Sequence, residues 1–102
     1  TGLFVCIPKG YEIQVRPRSG LSFKVGLTLI NSPGTIDARY RGEVGLLVVN
    51  NGSEPVVITD GERIGQLVLK RVEFINWIVK RSVKEFSDQS DRGGGTGHSG
   101  VN

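Results

Sequence analysis

Apolar and polar positions alternate with a period of two along much of this chain. Tyr11, Ile13 and Val15 fall on one side and Glu12, Gln14 and Arg16 on the other, the pattern of a half-buried strand. Val44, Leu46 and Val48 repeat it. Leu47 and Val49 are apolar as well, so this stretch is expected to be covered on both faces. Leu27 to Ile30 is its expected partner strand, and Pro33-Gly34 between them reads as a type II turn. Proline sets the first central φ there, and glycine accepts a positive φ at the second. Asn51-Gly52 carries a hairpin signal leading into Val56 to Thr59, and Asp60-Gly61 turns the chain into Ile64 to Val72. A last segment, Glu73 to Val83, sets Glu73, Ile75, Trp77 and Val79 on one face, which makes Trp77 a core or subunit-interface residue. The one helical candidate is a single turn, Ser19 to Lys24, with Ser19 as its N-cap. Short strands joined by Gly, Pro and Asn turns predict an all-β barrel or sandwich.

From Ser87 onward the composition shifts to Ser, Asp, Gln and Gly, which cannot pack a core. The chain therefore divides into a β domain at 1–86 and a flexible Gly-rich tail at 87–102. Its 102 residues suffice for one domain with a modest core. A single cysteine, Cys6, excludes an internal disulfide and any multi-cysteine metal site, and its apolar neighbours predict a small buried hydrophobe. A net charge of +3 suits local handling of phosphates and is too small to imply a nucleic-acid partner. No apolar run is long enough to span a bilayer and no signal segment opens the chain, so no membrane partner is expected. The chain has no methionine and starts at Thr1, which suggests a fragment of a longer protein.

Polar residues capable of chemistry gather in three places. Arg18, Ser19 and Gly20 combine a guanidinium, a hydroxyl and an approachable backbone N–H, which suits either an anion site or a capped turn with a solvated arginine. Asn31 to Val44, reading NSPGTIDARYRGEV, holds Asp37 and Tyr40 on a connecting segment. That is compatible with a carboxylate over a small-molecule pocket and with an ordinary polar loop. The tail offers Arg92 followed by GGGTGHSG. It lacks the lysine, preceding strand and following helix of a P-loop, and a plain linker has the same composition.

Taken together these motifs resemble the trimeric dUTP pyrophosphatases, the dUTPases. Asn31 to Val44 is similar to that family's third motif, RPRSGLS at 16–22 to its second, and GERIGQ at 61–66 to its fourth. Arg92 to Gly100 resembles its fifth. The first motif, an Asp-Ala-Gly-x-Asp-Leu-like segment, is absent, and the fifth lacks the aromatic of the family's Gly-Gly-Phe-Gly core, with Thr96 near its place. The resemblance implies a jelly-roll-like β barrel, assembled as a homotrimer with active sites between subunits and the tail closing over a neighbour's site.

It also implies roles. Arg18, Ser19 and Gly20 become phosphate ligands. Asn31, with backbone groups near Thr35, Ile36 and Gly45, would read uracil, and Tyr40 would pack on deoxyribose. Asp37 becomes the general base for hydrolysis of dUTP to dUMP and pyrophosphate; Arg39 stands where the family often has an acidic or small residue, and is either neutral in effect or an ion-pair partner of Asp37. Gln66 would touch the phosphates near the scissile bond, and Arg92, His98 and Ser99 would clamp the terminal phosphates. Mg²⁺ would be held mainly by the triphosphate and waters, and the expected compartment is the cytoplasm, or the nucleus or an organelle in a eukaryote. A dCTP deaminase shares this fold, although Ile36 to Gly42 fits the dUTPase motif better. The remaining alternative is a non-catalytic protein of the same fold that binds nucleotide or a partner.

Overall fold

The computed structural model describes residues 1–86. Its elements run β1 (Tyr11–Pro17), α1 (Ser19–Val25), β2 (Leu27–Leu29), β3 (Gly34–Ile36), β4 (Val48–Asn50) and β5 (Gly65–Arg71), followed by a 3-10 turn at Val83–Glu85. Two antiparallel sheets result, one ordered β3-β1-β5 and the other β2-β4. β1 is central because both its edges are paired: Ile13 lies opposite Ile36 on β3 and opposite Leu69 on β5. The alternation read in β1 holds. Val15 is buried, and Tyr11 and Ile13 pack against the same cluster of Ile7, Val15, Leu29, Ile36 and Val44. That cluster takes residues from both sheets, so the two layers close on one small core, the mostly β arrangement that the turn spacing predicted and the jelly-roll-like form that the resemblance implied.

Several local expectations are corrected. Leu27–Leu29 does pair with the later apolar stretch, but only Val48–Asn50 is strand; Leu47 is 59% exposed, so this region is not covered on both faces. Pro33-Gly34 is not a type II turn. The Ser32–Pro33 peptide is cis and Gly34, without positive φ, opens β3 opposite Val15. Glycine serves there by its lack of a side chain, since a Cβ would lie 3.2 Å from Asn31 Nδ2 and 3.4 Å from Val15 Cβ. Asn51-Gly52 does not lead into a strand at Val56 to Thr59. Instead the Asn51 N–H donates to the Gly26 carbonyl at 2.9 Å, and Gly52 lies so close to Val25 that a Cβ would strike its carbonyl oxygen. Asp60-Gly61 does turn: the Glu62 N–H reaches the Thr59 carbonyl at 3.1 Å and Gly61 has φ +87°, the geometry of a type II turn.

The helical turn exists as α1, but Ser19 is its first residue and Arg18 the cap, with no side-chain capping bond. Gly26 ends it in the left-handed region at φ +75°. Cys6 is exposed and not a core residue. The Glu73 to Val83 segment forms no ladder among the described residues, and Trp77 is 83% exposed, which excludes the core reading. Phe74, Ile75, Ile78 and Val79 beside it are exposed as well. No helix among the described residues is long and apolar enough to cross a membrane.

Candidate functional site

The segment from Asn31 to Leu47 wraps around a cavity of about 300 Å³ at the end of the small core. Its floor is apolar: Val15 from β1, Leu29 from β2 and Ile36 from β3 are all buried, and Val44 is 1% exposed. Its walls are polar or backbone, from Asn31, Gly34, Thr35, Tyr40, Glu43 and Gly45. A concave, mostly apolar site with a few placed polar groups is the usual form of a small-molecule pocket. β3 is an edge strand, so one row of its N–H and C=O groups faces away from β1 without a ladder partner.

Tyr40 is held by its own turn. Its N–H donates to the Asp37 carbonyl at 3.2 Å and its hydroxyl donates to the Glu43 carbonyl at 2.7 Å. Gly42 permits this, because a Cβ at that position would come within 2.5 Å of the Tyr40 Oη and 3.0 Å of Cε1. Asp37 follows β3 directly, on the exposed rim next to Ile36. One carboxylate oxygen accepts the Arg39 backbone N–H at 2.8 Å, and its Oδ2 accepts no hydrogen bond among the described residues. The Arg39 guanidinium makes no ion pair with it among the described residues, which leaves the neutral alternative for Arg39.

The other polar constellation lies elsewhere. Arg18 Nη1 donates to the Arg63 carbonyl at 2.9 Å and Gln66 Nε2 to the Pro17 carbonyl at 3.2 Å, which draws the two motifs together across the β1–β5 ladder. Ser19 and Gly20 are exposed next to them, and a Cβ on Gly20 would meet no atom within 4 Å. None of Arg18, Ser19, Gly20 or Gln66 lines the cavity. The structure therefore brings the predicted residues together in two groups within one chain: Asn31, Thr35, Ile36, Tyr40 and Gly45 with Asp37 at the rim, and Arg18, Ser19, Gly20 and Gln66 apart from them. Arg92, His98 and Ser99 lie outside the described residues. No group of three or more His, Cys, Asp or Glu side chains among the described residues is arranged to hold a metal ion.

The loop before β5 sets the carbonyl that holds Arg18. Glu62 accepts from the Thr59 hydroxyl at 2.7 Å and from its N–H at 3.1 Å, and these bonds, the hydroxyl first, lower its pKa from the usual 4.5. A carboxylate depressed on folding contributes stability above its unfolded pKa and loses it as pH falls through the folded value. The melting temperature of the wild-type protein is therefore expected to exceed that of Glu62→Ala at pH 7. The gap should narrow steadily below pH 4.5; a constant gap down to pH 3 would contradict the assignment.

Sequence reasoning missed Val15, Leu29, Gly34, Glu43, Val44 and Leu47 as lining residues. Four are aliphatic and read as ordinary core, and nothing in a one-dimensional pattern marks a core residue that borders a cavity. Glu43 carried a signal in its place beside Gly42 and Tyr40.

Comparison with known proteins agrees with these motifs. The dUTPase family model matches residues 1–100. The chain is 54% identical over 101 residues to a deoxyuridine 5'-triphosphate nucleotidohydrolase of Desulfotalea psychrophila, covering 99% of this chain and 65% of that protein. It is 52% identical over 101 residues to the protein of the same name from Fusobacterium nucleatum, covering 98% and 66%. It thus spans about two thirds of the length of these relatives. Among solved structures, a Staphylococcus bacteriophage 80alpha dUTPase variant with dUpNHpp aligns at a TM-score of 0.74 and 30% identity, over 96% of this chain and 72% of that one. With a family match over nearly its whole length, two close relatives and the fold in agreement, the chain belongs to the dUTPase family.

Proposed function

We propose that the protein hydrolyses dUTP to dUMP and pyrophosphate, with the Asn31–Leu47 cavity as the nucleoside site. The observation that carries this reading is the combination of an edge-strand backbone, an asparagine amide and a tyrosine ring around one apolar floor. Uracil offers two carbonyl acceptors flanking an N–H, which suits the backbone groups about Thr35, Ile36 and Gly45 together with the Asn31 amide. Cytosine replaces one acceptor with a donor and would leave buried groups unpaired. Tyr40, locked by Glu43 and accommodated by Gly42, gives the sugar a flat wall that leaves little room for a 2′-hydroxyl.

Asp37 is the general base in this reading. With one oxygen held by the Arg39 N–H, the other orients a water in line with the α-phosphorus. The water oxygen bonds to phosphorus as the α–β bridging bond breaks, pyrophosphate leaves, and Asp37 receives the water's proton. Arg18, Ser19, Gly20 and Gln66 hold the phosphate chain. Because they stand apart from the cavity of their own chain, they serve the cavity of a second copy, in a homotrimer whose sites lie between subunits. The exposed apolar run from Phe74 to Val79, with Trp77, is covered in that assembly. Arg92, His98 and Ser99 of the tail close on the terminal phosphates.

Magnesium enters as part of the substrate, Mg²⁺–dUTP. The described residues do not provide the several oxygen donors of a dedicated cage, so no step is assigned to a protein-held ion. A reaction on the free deoxynucleotide pool suits the cytoplasm, or the nucleus or an organelle in a eukaryote. The test is Mg²⁺-dependent pyrophosphate release from dUTP, with dCTP, dTTP and UTP alongside. Release from dUTP alone supports the reading. Release from dCTP at a comparable rate, or tight dUTP binding without turnover, would replace it with a different base specificity or a binding-only protein.

A further inference from the structure

The wall of the cavity that carries Tyr40 is tied down from behind by the first residues of the chain, through the Glu43 carboxylate, to which none of the roles above is assigned. Glu43 lines the cavity, and its carbonyl accepts the Tyr40 hydroxyl at 2.7 Å. Its side chain points to the opposite side, where Oε2 accepts the Gly2 N–H at 2.7 Å and the Thr1 nitrogen at 3.1 Å. Val44, the most buried residue of the core, continues the same seam: its N–H donates to the Leu3 carbonyl at 2.8 Å and its carbonyl accepts the Thr1 hydroxyl at 2.6 Å. The Thr1 hydroxyl in turn accepts the Leu3 N–H at 3.0 Å. Most of these bonds use backbone and hydroxyl groups and need no charge on the Thr1 nitrogen.

We infer that Glu43 is a positioning residue for nucleoside binding, acting through Tyr40 and Val44 by clamping the Thr1–Leu3 segment behind them. Without the Glu43 carboxylate, residues 40 to 45 keep the Tyr40–Glu43 bond and the Val44 bonds to Leu3 and Thr1, and lose the side-chain bonds to Gly2 and the Thr1 nitrogen. With it, the turn is anchored at Glu43 as well to a segment more than 40 positions away in sequence. The cavity wall is thereby set before the ligand arrives, which lowers the ordering cost of binding. The inference rests on the nucleoside reading of the cavity given above. Glu43 does not touch the reacting phosphate, so its loss weakens ground state and transition state alike, raising KM and leaving kcat in place.

The test compares wild type, Glu43→Ala and Glu43→Gln in two assays. The first follows the Tyr40 ring and Gly2 amide NMR signals of the ligand-free protein. The second measures KM and kcat with Mg²⁺–dUTP. In Glu43→Ala both sets of signals are expected to move, with KM rising roughly five- to tenfold, the range of one or two exposed charge-assisted hydrogen bonds. The kcat value should change less than twofold. Glutamine keeps an oxygen for the Gly2 N–H, so Glu43→Gln should recover most of the wild-type KM and the Tyr40 shifts. Unchanged Tyr40 signals in Glu43→Ala, or a fall in kcat at constant KM, would overturn the inference. Tyr40 signals that respond in a wild-type background that neither binds nor hydrolyses dUTP would support the clamp and remove the dUTP reading instead.

Discussion

Asp37→Asn is expected to lower the rate of dUTP hydrolysis by about 10²–10⁴-fold, the usual contribution of a positioned general base. The substitution keeps the shape of the side chain and an oxygen able to accept the Arg39 N–H. It removes only the capacity to take a proton from the attacking water. KM for dUTP should change little, because the apolar floor, Asn31 and Tyr40 are untouched. Folding should be equally unaffected, since Asp37 is exposed and engages no other charge among the described residues. Steady-state kinetics with a melting curve as control decide the matter. A variant that retains more than a tenth of wild-type kcat would assign the base elsewhere.

Two inactive variants are expected to restore each other when mixed. Asp37 directly follows the cavity-lining Ile36, while Arg18 is bound to the Arg63 carbonyl and does not line that cavity. If one site takes Asp37 from one subunit and Arg18 from another, Arg18→Ala and Asp37→Asn damage different subunits of that site. After unfolding and refolding an equimolar mixture, each subunit is drawn at random. About a quarter of the sites then combine an intact Asp37 with an intact Arg18. Activity should rise from the residual level of either variant to roughly 25% of wild type. Should both residues serve the same chain, no site in the mixture would be whole and activity would stay at the residual level. The outcome separates an inter-subunit site from an intra-chain one without a structure of the assembly.

Much of the candidate site was legible from residue types and order. From spacing alone Asp37, Tyr40, Arg18 and Gln66 were compatible with an ordinary loop, a capped turn or a strand face; the motifs' resemblance to the dUTPases singled them out. What could not be read was how these groups partition in space. Residues 18 and 66 meet because Arg16 pairs with Gln66 across β1 and β5, a register set by ladder bonds between segments about 50 positions apart. Glycine was misread for a related reason. Gly34 and Gly52 both carry turn signatures, yet Gly52 is used where the Val25 carbonyl comes too close for a Cβ, and Gly34 sits in a strand where a Cβ would fit tightly against Asn31. A sequence window records glycine's conformational freedom but not the proximity of a distant neighbour.

The same division explains the apolar residues. Alternation sufficed to place Val15 in the core and to predict a β fold of short strands, because a period of two is a property of the strand itself. It could not distinguish the buried face of β1 from the exposed Trp77 segment, which shows the same period and finds no ladder partner among the described residues. The sequence by itself therefore determined the class of fold, which depends on local patterning, and the family, which its motifs resemble in kind and order. Only the tertiary structure decided that Arg18 and its neighbours do not line the cavity of their own chain, that the Glu43 carboxylate meets Thr1 and Gly2, and which apolar faces are left open. Those are matters of long-range pairing, where hydrogen-bond register and packing, and not local preference, select the neighbours.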